Sequence, residues 1–148
     1  MKQEYNNQNF KRILVGVDDS EDAQLAFRYA IHEARENKAT LIIASVLEHD
    51  EMNIYQALDK DYIHGEREAL MNHIEKYRQL ALRAGVEKVD TIISEGEAGE
   101  TIVKEIIPAV DPDLLIIGSM SKQGIKKYFG SQAAYMAKYS PISVMVVR

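Results

Sequence analysis

The chain of 148 residues contains no cysteine. That excludes a disulfide framework, thiolate chemistry and any Cys-based metal cluster, and it fits a reducing compartment such as the cytoplasm. No apolar run approaches the length of a membrane span, and the first twelve residues, MKQEYNNQNFKR, are polar where a secretory signal would be apolar. A cytoplasmic protein with no membrane contact is expected. The four histidines, His32, His49, His64 and His73, show no paired metal spacing; His49 sits among acids in a segment that reads as a charged loop. The chain also lacks a G-x-x-x-x-G-K-[ST] loop and a G-x-S-x-G elbow, and nothing in it pairs a nucleophile with a base. Binding is expected, with no turnover.

A further absence is local. No aspartate or glutamate follows Asp113, and residues 114–148 carry a net charge of +5 from Lys122, Lys126, Lys127, Lys138 and Arg148. The whole chain is at −5, so residues 1–113 stand at −10. An overall acidic protein does not suit general nucleic-acid binding, which needs phosphate neutralisation over a broad surface. An acid-free stretch within it suits a small phosphorylated ligand better.

What is present is alternation. Residues 13–17 (ILVGV), 40–47 and 114–117 are short apolar runs, the mark of strands covered on both faces. Residues 89–94 and 142–147 form two further strands. Between them lie helical patterns over 21–37, about 61–84, a third that follows the turn bracketed by Gly96 and Gly99 and bears Ile102, Val103, Ile106, Ile107 and Val110, and a fourth over 130–139. Ser20 is placed to cap the first helix, with Glu21 and Asp22 in its first turn. Gly85 stops the second, Pro108 should end or bend the third, and Ser140-Pro141 breaks the fourth. Residues 48–60 show no period and read as an irregular, acidic connection. The order β-α-β-α-β-α-β-α-β implies one α/β domain over 11–148, a parallel sheet with helices on both faces, preceded by a flexible tail over 1–10 with Phe10 tucked onto the first strand.

In an open, doubly wound sheet, ligands bind beyond the carboxyl ends of the strands where the strand order reverses. Asp18 ends the first strand, Ser45-Val46 the second and Gly118 the fourth, after which a lysine-bearing loop leads to a helix start at Gly130-Ser131. A strand, a Gly-marked turn and a helix N-terminus make a cradle for phosphate. Taken singly, the same residues also suit a solvated turn at Asp18-Asp19, a tight turn needing positive φ at Gly118, and an ordinary helix start at Gly130-Ser131.

Together these residues resemble the universal stress protein (UspA) family over residues 11–148. Val15-Gly16-Val17-Asp18-Asp19-Ser20 matches its V-x-V-D-x-S pattern, and Gly118, Gly130 and Ser131 match the ends of its G-x2-G-x9-G-[ST] motif. Pro141-Ile142-Ser143-Val144-Met145-Val146-Val147 matches its closing strand. The resemblance implies a doubly wound five-stranded parallel sheet in the order 3-2-1-4-5, of the adenine-nucleotide α-hydrolase-like kind. It further implies an ATP or other adenine-nucleotide site, with or without Mg2+. By carry-over, Val17, Asp18 and Val46 would line the adenine and ribose end, and Ile117 and Gly118 the floor. Ser121, Gly130, Ser131, Gln132 and Ala133 would hold the phosphates, and Asp18 is the carboxylate available to a magnesium ion. The resemblance also implies a homodimer formed through the final strand, Ile142 to Val147, signalling to an unidentified protein partner.

The chain departs from the motif in one place. Ser121 stands where the family has its second glycine, and eight residues instead of nine separate it from Gly130. Gly124 and the loop lysines are candidates to offset this. The departure motivates the rival reading, a nucleotide-independent dimeric interaction protein of the same fold. A response-regulator reading fails because the third strand ends Ser94-Glu95, without a phosphoacceptor aspartate.

Overall fold

The computed structural model describes residues 9–18, 21–48, 53–119 and 130–148. Five strands form one sheet: β1 (Arg12–Gly16), β2 (Thr40–Leu47), β3 (Val89–Glu95), β4 (Leu114–Gly118) and β5 (Ser143–Val147). All pairings are parallel and the order is β3-β2-β1-β4-β5, as the resemblance implied. Among the described residues they are connected by the helices α1 (Glu21–Asn37), α2 (Ile54–Leu58), α3 (Lys60–Arg83), α4 (Ala98–Thr101), α5 (Ile107–Val110) and α6 (Ser131–Tyr139), with a π-helical segment (Ile102–Ile106) between α4 and α5. Among the described residues no helix is long and apolar enough to cross a membrane.

The unbroken apolar runs have the expected cause. Along a strand successive side chains point to opposite faces, and here both faces are covered. Ile13, Val15, Leu41, Ile43, Leu114 and Ile116 join the core beneath α1 and α3. Leu14, Ile42, Ala44, Leu115 and Ile117 join the core beneath the helices of 98–110 and α6. The three inner strands are almost wholly buried, whereas β3 and β5 at the edges are half exposed.

Two local expectations are revised. Residues 48–60 are not irregular throughout, because Asn53 and Gln56 form a reciprocal capping box that nucleates α2. Asp59 then ends α2 and caps α3 by accepting from the amides of Asp61 and Tyr62. Pro108 does not end its helix, which runs on to Val110, and the distortion expected of it falls in the turn before it. Its ring lacks an N–H and crowds the carbonyl four residues back, and the chain widens into a π-helical segment (Ile102–Ile106) before continuing as α5. The rod stops at Asp111, which turns left-handed at φ 49°. Phe10 donates its amide to Asn37 Oδ1 at 3.1 Å and packs its side chain on the core. The cap assigned to Ser20 lies outside the described residues.

Asp113, the last acid of the chain, serves the fold. Its carboxylate accepts from the amides of Lys11 and Arg12 at 2.8 and 3.0 Å, while Arg12 Nε donates to the Val110 carbonyl at 2.9 Å. These bonds set the start of β1 against the loop that feeds β4. Replacing Asp113 by alanine should cost about 1–3 kcal/mol of stability, because two strand-entry amides lose a charged acceptor. Urea unfolding would measure it, and an unchanged midpoint would show that water replaces the carboxylate without loss.

Candidate functional site

The sheet reverses direction between β1 and β4. From β1 the chain moves outward through β2 to β3, then returns across the sheet to β4 on the other side. The register pairs Ile13, Leu14 and Val15 with Leu114, Leu115 and Ile116, so the two strands run side by side to within a residue of the end of β1. The two strand ends singled out from the sequence are therefore adjacent. On the far side of β1, Val17 donates its amide to the Ala44 carbonyl at 2.9 Å, and the buried Ser45 hydroxyl donates to the Val17 carbonyl at 3.2 Å. This ties the ends of β1 and β2 together.

Gly118 has a reason different from the turn conformation considered above. It is the last residue of β4 and is not among the glycines with positive φ, which are Gly85 and Gly96. A Cβ on it would lie 2.6 Å from the Asp22 carbonyl carbon and 2.8 Å from both Asp22 O and Ala23 N. The glycine is needed because the first turn of α1 rests directly on the end of β4.

Ser119 then joins three elements. Its amide donates to the Val147 carbonyl of β5 and its carbonyl accepts the Gly130 amide, both at 2.9 Å. Its hydroxyl donates to the Asp22 carboxylate of α1. Both ends of the segment 120–129 are thereby held at one point of the sheet. Ser121, like the loop lysines and Gly124, lies outside the described residues, as does His49.

Gly130 is the N-cap of α6, with extended backbone at φ −60° and ψ 148° and no side-chain cap bond. The cap offers no acceptor of its own to the first amides of α6, those of Ser131, Gln132 and Ala133. Exposed Ser131 presents its hydroxyl at this end. The side chains of Gln132 and Ala133 turn away from the helix start. The Gln132 carboxamide accepts the Gly99 amide at 2.7 Å, so its side chain caps α4, whose own N-cap residue Glu97 makes no side-chain cap bond. The Ala133 methyl is fully buried against the core, leaving only its backbone for the cleft. Val17 and Ile117 likewise turn their side chains into opposite cores, whereas Val46 and Asp18 are half-buried at the strand ends. The contributions of Asp22, Ser119 and Gly99 were not read from the sequence. Asp22 and Ser119 lie 97 residues apart, with no local pattern to link them.

Fold and site together define a doubly wound α/β protein whose last helix starts beside the end of β4, at the topological switch point. The chain belongs to the universal stress protein family, whose model matches residues 9–148. It is 29% identical over 140 residues to a putative universal stress protein of Staphylococcus saprophyticus, covering 94% of this chain and 84% of the relative. It superposes on the universal stress protein UspA from Lactobacillus plantarum with a TM-score of 0.83 at 25% identity, covering 96% of this chain and all of the other. The Archaeoglobus fulgidus universal stress protein solved in complex with dAMP shares the fold, with a TM-score of 0.67 at 20% identity, covering 95% of this chain and 99% of that one.

The Ser119 hydroxyl can be removed without touching either of its backbone bonds. Ser119→Ala should lower stability by about 1.5–3 kcal/mol, the usual worth of a hydrogen bond to a charged group. A double-mutant cycle with Asp22→Asn should show non-additivity, since each change removes the same bond. Strict additivity in urea denaturation would dismiss the contact.

Proposed function

We propose that this protein binds an adenine nucleotide, ATP foremost, at the carboxyl ends of β1, β2 and β4, and acts by its bound state. The observation that carries this reading is the α6 N-terminus. Gly130 places no side chain over the amides of Ser131, Gln132 and Ala133, the helix dipole favours an anion there, and no acid occurs in the sequence after Asp113. The residues present therefore fit a phosphate group. The nucleotide supplies that phosphate chain and a base; the protein supplies amides, the Ser131 hydroxyl, and an edge formed by Asp18 and Val46. Family members solved with cAMP, dAMP and AMP support the ligand class.

The reading extends to binding without turnover in the cytoplasm, because no nucleophile and base are paired in the sequence. Where magnesium accompanies the phosphates, Asp18 is the carboxylate for it. Among the described residues β5 pairs with β4 alone and forms one edge of the sheet. Two-fold pairing of two such strands would satisfy both open edges and give a homodimer, which would present a nucleotide-dependent surface to a signalling partner. The rival, a nucleotide-independent dimeric interaction module, is favoured by one feature of the sequence: Ser121 and the shortened spacing to Gly130.

Gly130→Asp separates the two. Its backbone conformation suits any residue, and aspartate is a good N-cap, so the fold should be kept or slightly stabilised. The new carboxylate occupies the phosphate position and repels it. In wild type, ATP at about 100 times its Kd should add about 2.7 kcal/mol to stability, visible as a raised melting midpoint. That shift should vanish in the variant. A midpoint indifferent to ATP, ADP and AMP in wild type would favour the interaction module.

A further inference from the structure

A second recess lies on the opposite flank of α1 from the β4 contact. α1 packs on β1 and β4, whereas α3 packs on β2 and β3. The two helices cover the same face of the sheet but diverge over the seam between β1 and β2, and a groove of about 540 Å³ opens between them. That volume lies within the roughly 300–1,000 Å³ of small-molecule sites. Its floor is apolar and aromatic. Phe27 and Tyr77 meet edge to face with ring centroids 4.8 Å apart, Ile31 and Leu80 extend the surface, and Leu80 is 48% exposed. His73 stands edge-on to the same Tyr77 ring at 5.2 Å.

The rim is cationic. Arg28 follows Phe27 on one helix and Lys76 precedes Tyr77 on the other, so one cation flanks the aromatic floor from each side. No lining residue is acidic, and neither cation has a carboxylate partner among the described residues. This is notable in a chain whose first 113 residues stand at −10. Two other cations of α3 are matched, Arg67 with Glu95 and Arg78 with Glu75.

The geometry points to a binding site for a small aromatic carboxylate of one or two fused rings. Its ring lies against Phe27, Tyr77 and Leu80 and its carboxylate spans Arg28 and Lys76. An aromatic body suits this floor because a further ring can join the edge-to-face arrangement already present. The single negative charge meets two cations that have no carboxylate partner among the described residues. A neutral or cationic analogue satisfies neither. The site shares no residue with the nucleotide cleft and does not depend on that reading.

The test is titration of the full-length protein with 2-naphthoate, followed by 1H–15N amide shifts, with methyl 2-naphthoate as neutral control. Saturable shifts should centre on α1 around Phe27 and on α3 around Tyr77, and the ester should bind at least fivefold more weakly. Arg28→Glu combined with Lys76→Glu should weaken naphthoate about tenfold, as expected when two exposed attractions become repulsions, while the ATP-induced melting shift is unchanged. Any of three results would overturn the site: no saturable shift at millimolar naphthoate, equal binding of ester and acid, or α1 and α3 shifts that grow with protein concentration alone. The last would assign the groove to a second copy of the chain. If the double variant fails to fold, the comparison of acid with ester on wild type still decides.

Discussion

The close approach of α1 to the end of β4 governs the switch-point end of this molecule. It is possible only because Gly118 has no side chain, since any Cβ there would overlap the backbone of Asp22 and Ala23. With the helix that close, the Asp22 carboxylate reaches the Ser119 hydroxyl, and Ser119 is held in turn by β5 and by the amide of Gly130. The start of α6 is thus fixed relative to α1 and to both strands beside it. A helix N-terminus attracts an anion through partial charges that act over one turn only. Its use as a site depends on being held in place beforehand, and the contacts at Gly118 and Ser119 do this.

The same economy operates on the other flank of α6. Gln132 carries its carboxamide across to the Gly99 amide and caps α4 from outside, where Glu97 makes no side-chain cap bond. Gly99 again lacks room for a side chain, with Gln132 Oε1 2.8 Å and Gln132 O 3.0 Å from where a Cβ would stand. Two glycines far apart in sequence therefore perform one task, letting a neighbouring helix turn lie against backbone. Neither relies on left-handed φ. The positions that do, Gly85 and Gly96, stop α3 and leave β3.

Most of the architecture was legible because both faces of the sheet are covered. The runs at 13–17, 40–47 and 114–117 could be nothing but doubly buried strands once helical patterns stood between them, and the strand order followed from the family resemblance. Local chemistry was legible where it is strictly local: Gly85, the Ser140-Pro141 break and the Gly130 cap. What escaped was of two kinds. The capping box at Asn53 and Gln56 is local but was hidden in a segment without hydrophobic period, since α2 is a helix of five residues held mainly by its caps. The contacts of Asp22 with Ser119, Gln132 with Gly99 and Asp113 with the start of β1 join residues 33 to 102 positions apart. No spacing rule reports on such pairs. Pro108 announced an irregularity without its form. The usual rule counts the hydrogen bond it removes, and here a π-helical segment accommodates the loss while Ile102, Ile106 and Ile107 stay in the core.

That segment bears on the division of labour among the helices. Ile102 and Ile106 face the same core as Met136 and Ala133 of α6, beneath the start of the proposed phosphate cradle. A break at Pro108 would have let the rod tilt and opened this packing, and α6 would have lost its support on the side away from α1. Instead α6 is buttressed by Ile102 and Ile106 below, by Gln132 on Gly99 at the side, and through Gly130 on Ser119 at its tip. The first turn of a nine-residue helix is ordinarily prone to fraying, because its leading amides lack partners within the helix. Supported on three sides, it can leave those amides to an incoming anion. The cost in backbone satisfaction falls at the site and is offset by contacts elsewhere, which is the pattern expected where a protein keeps hydrogen-bonding capacity in reserve for a ligand.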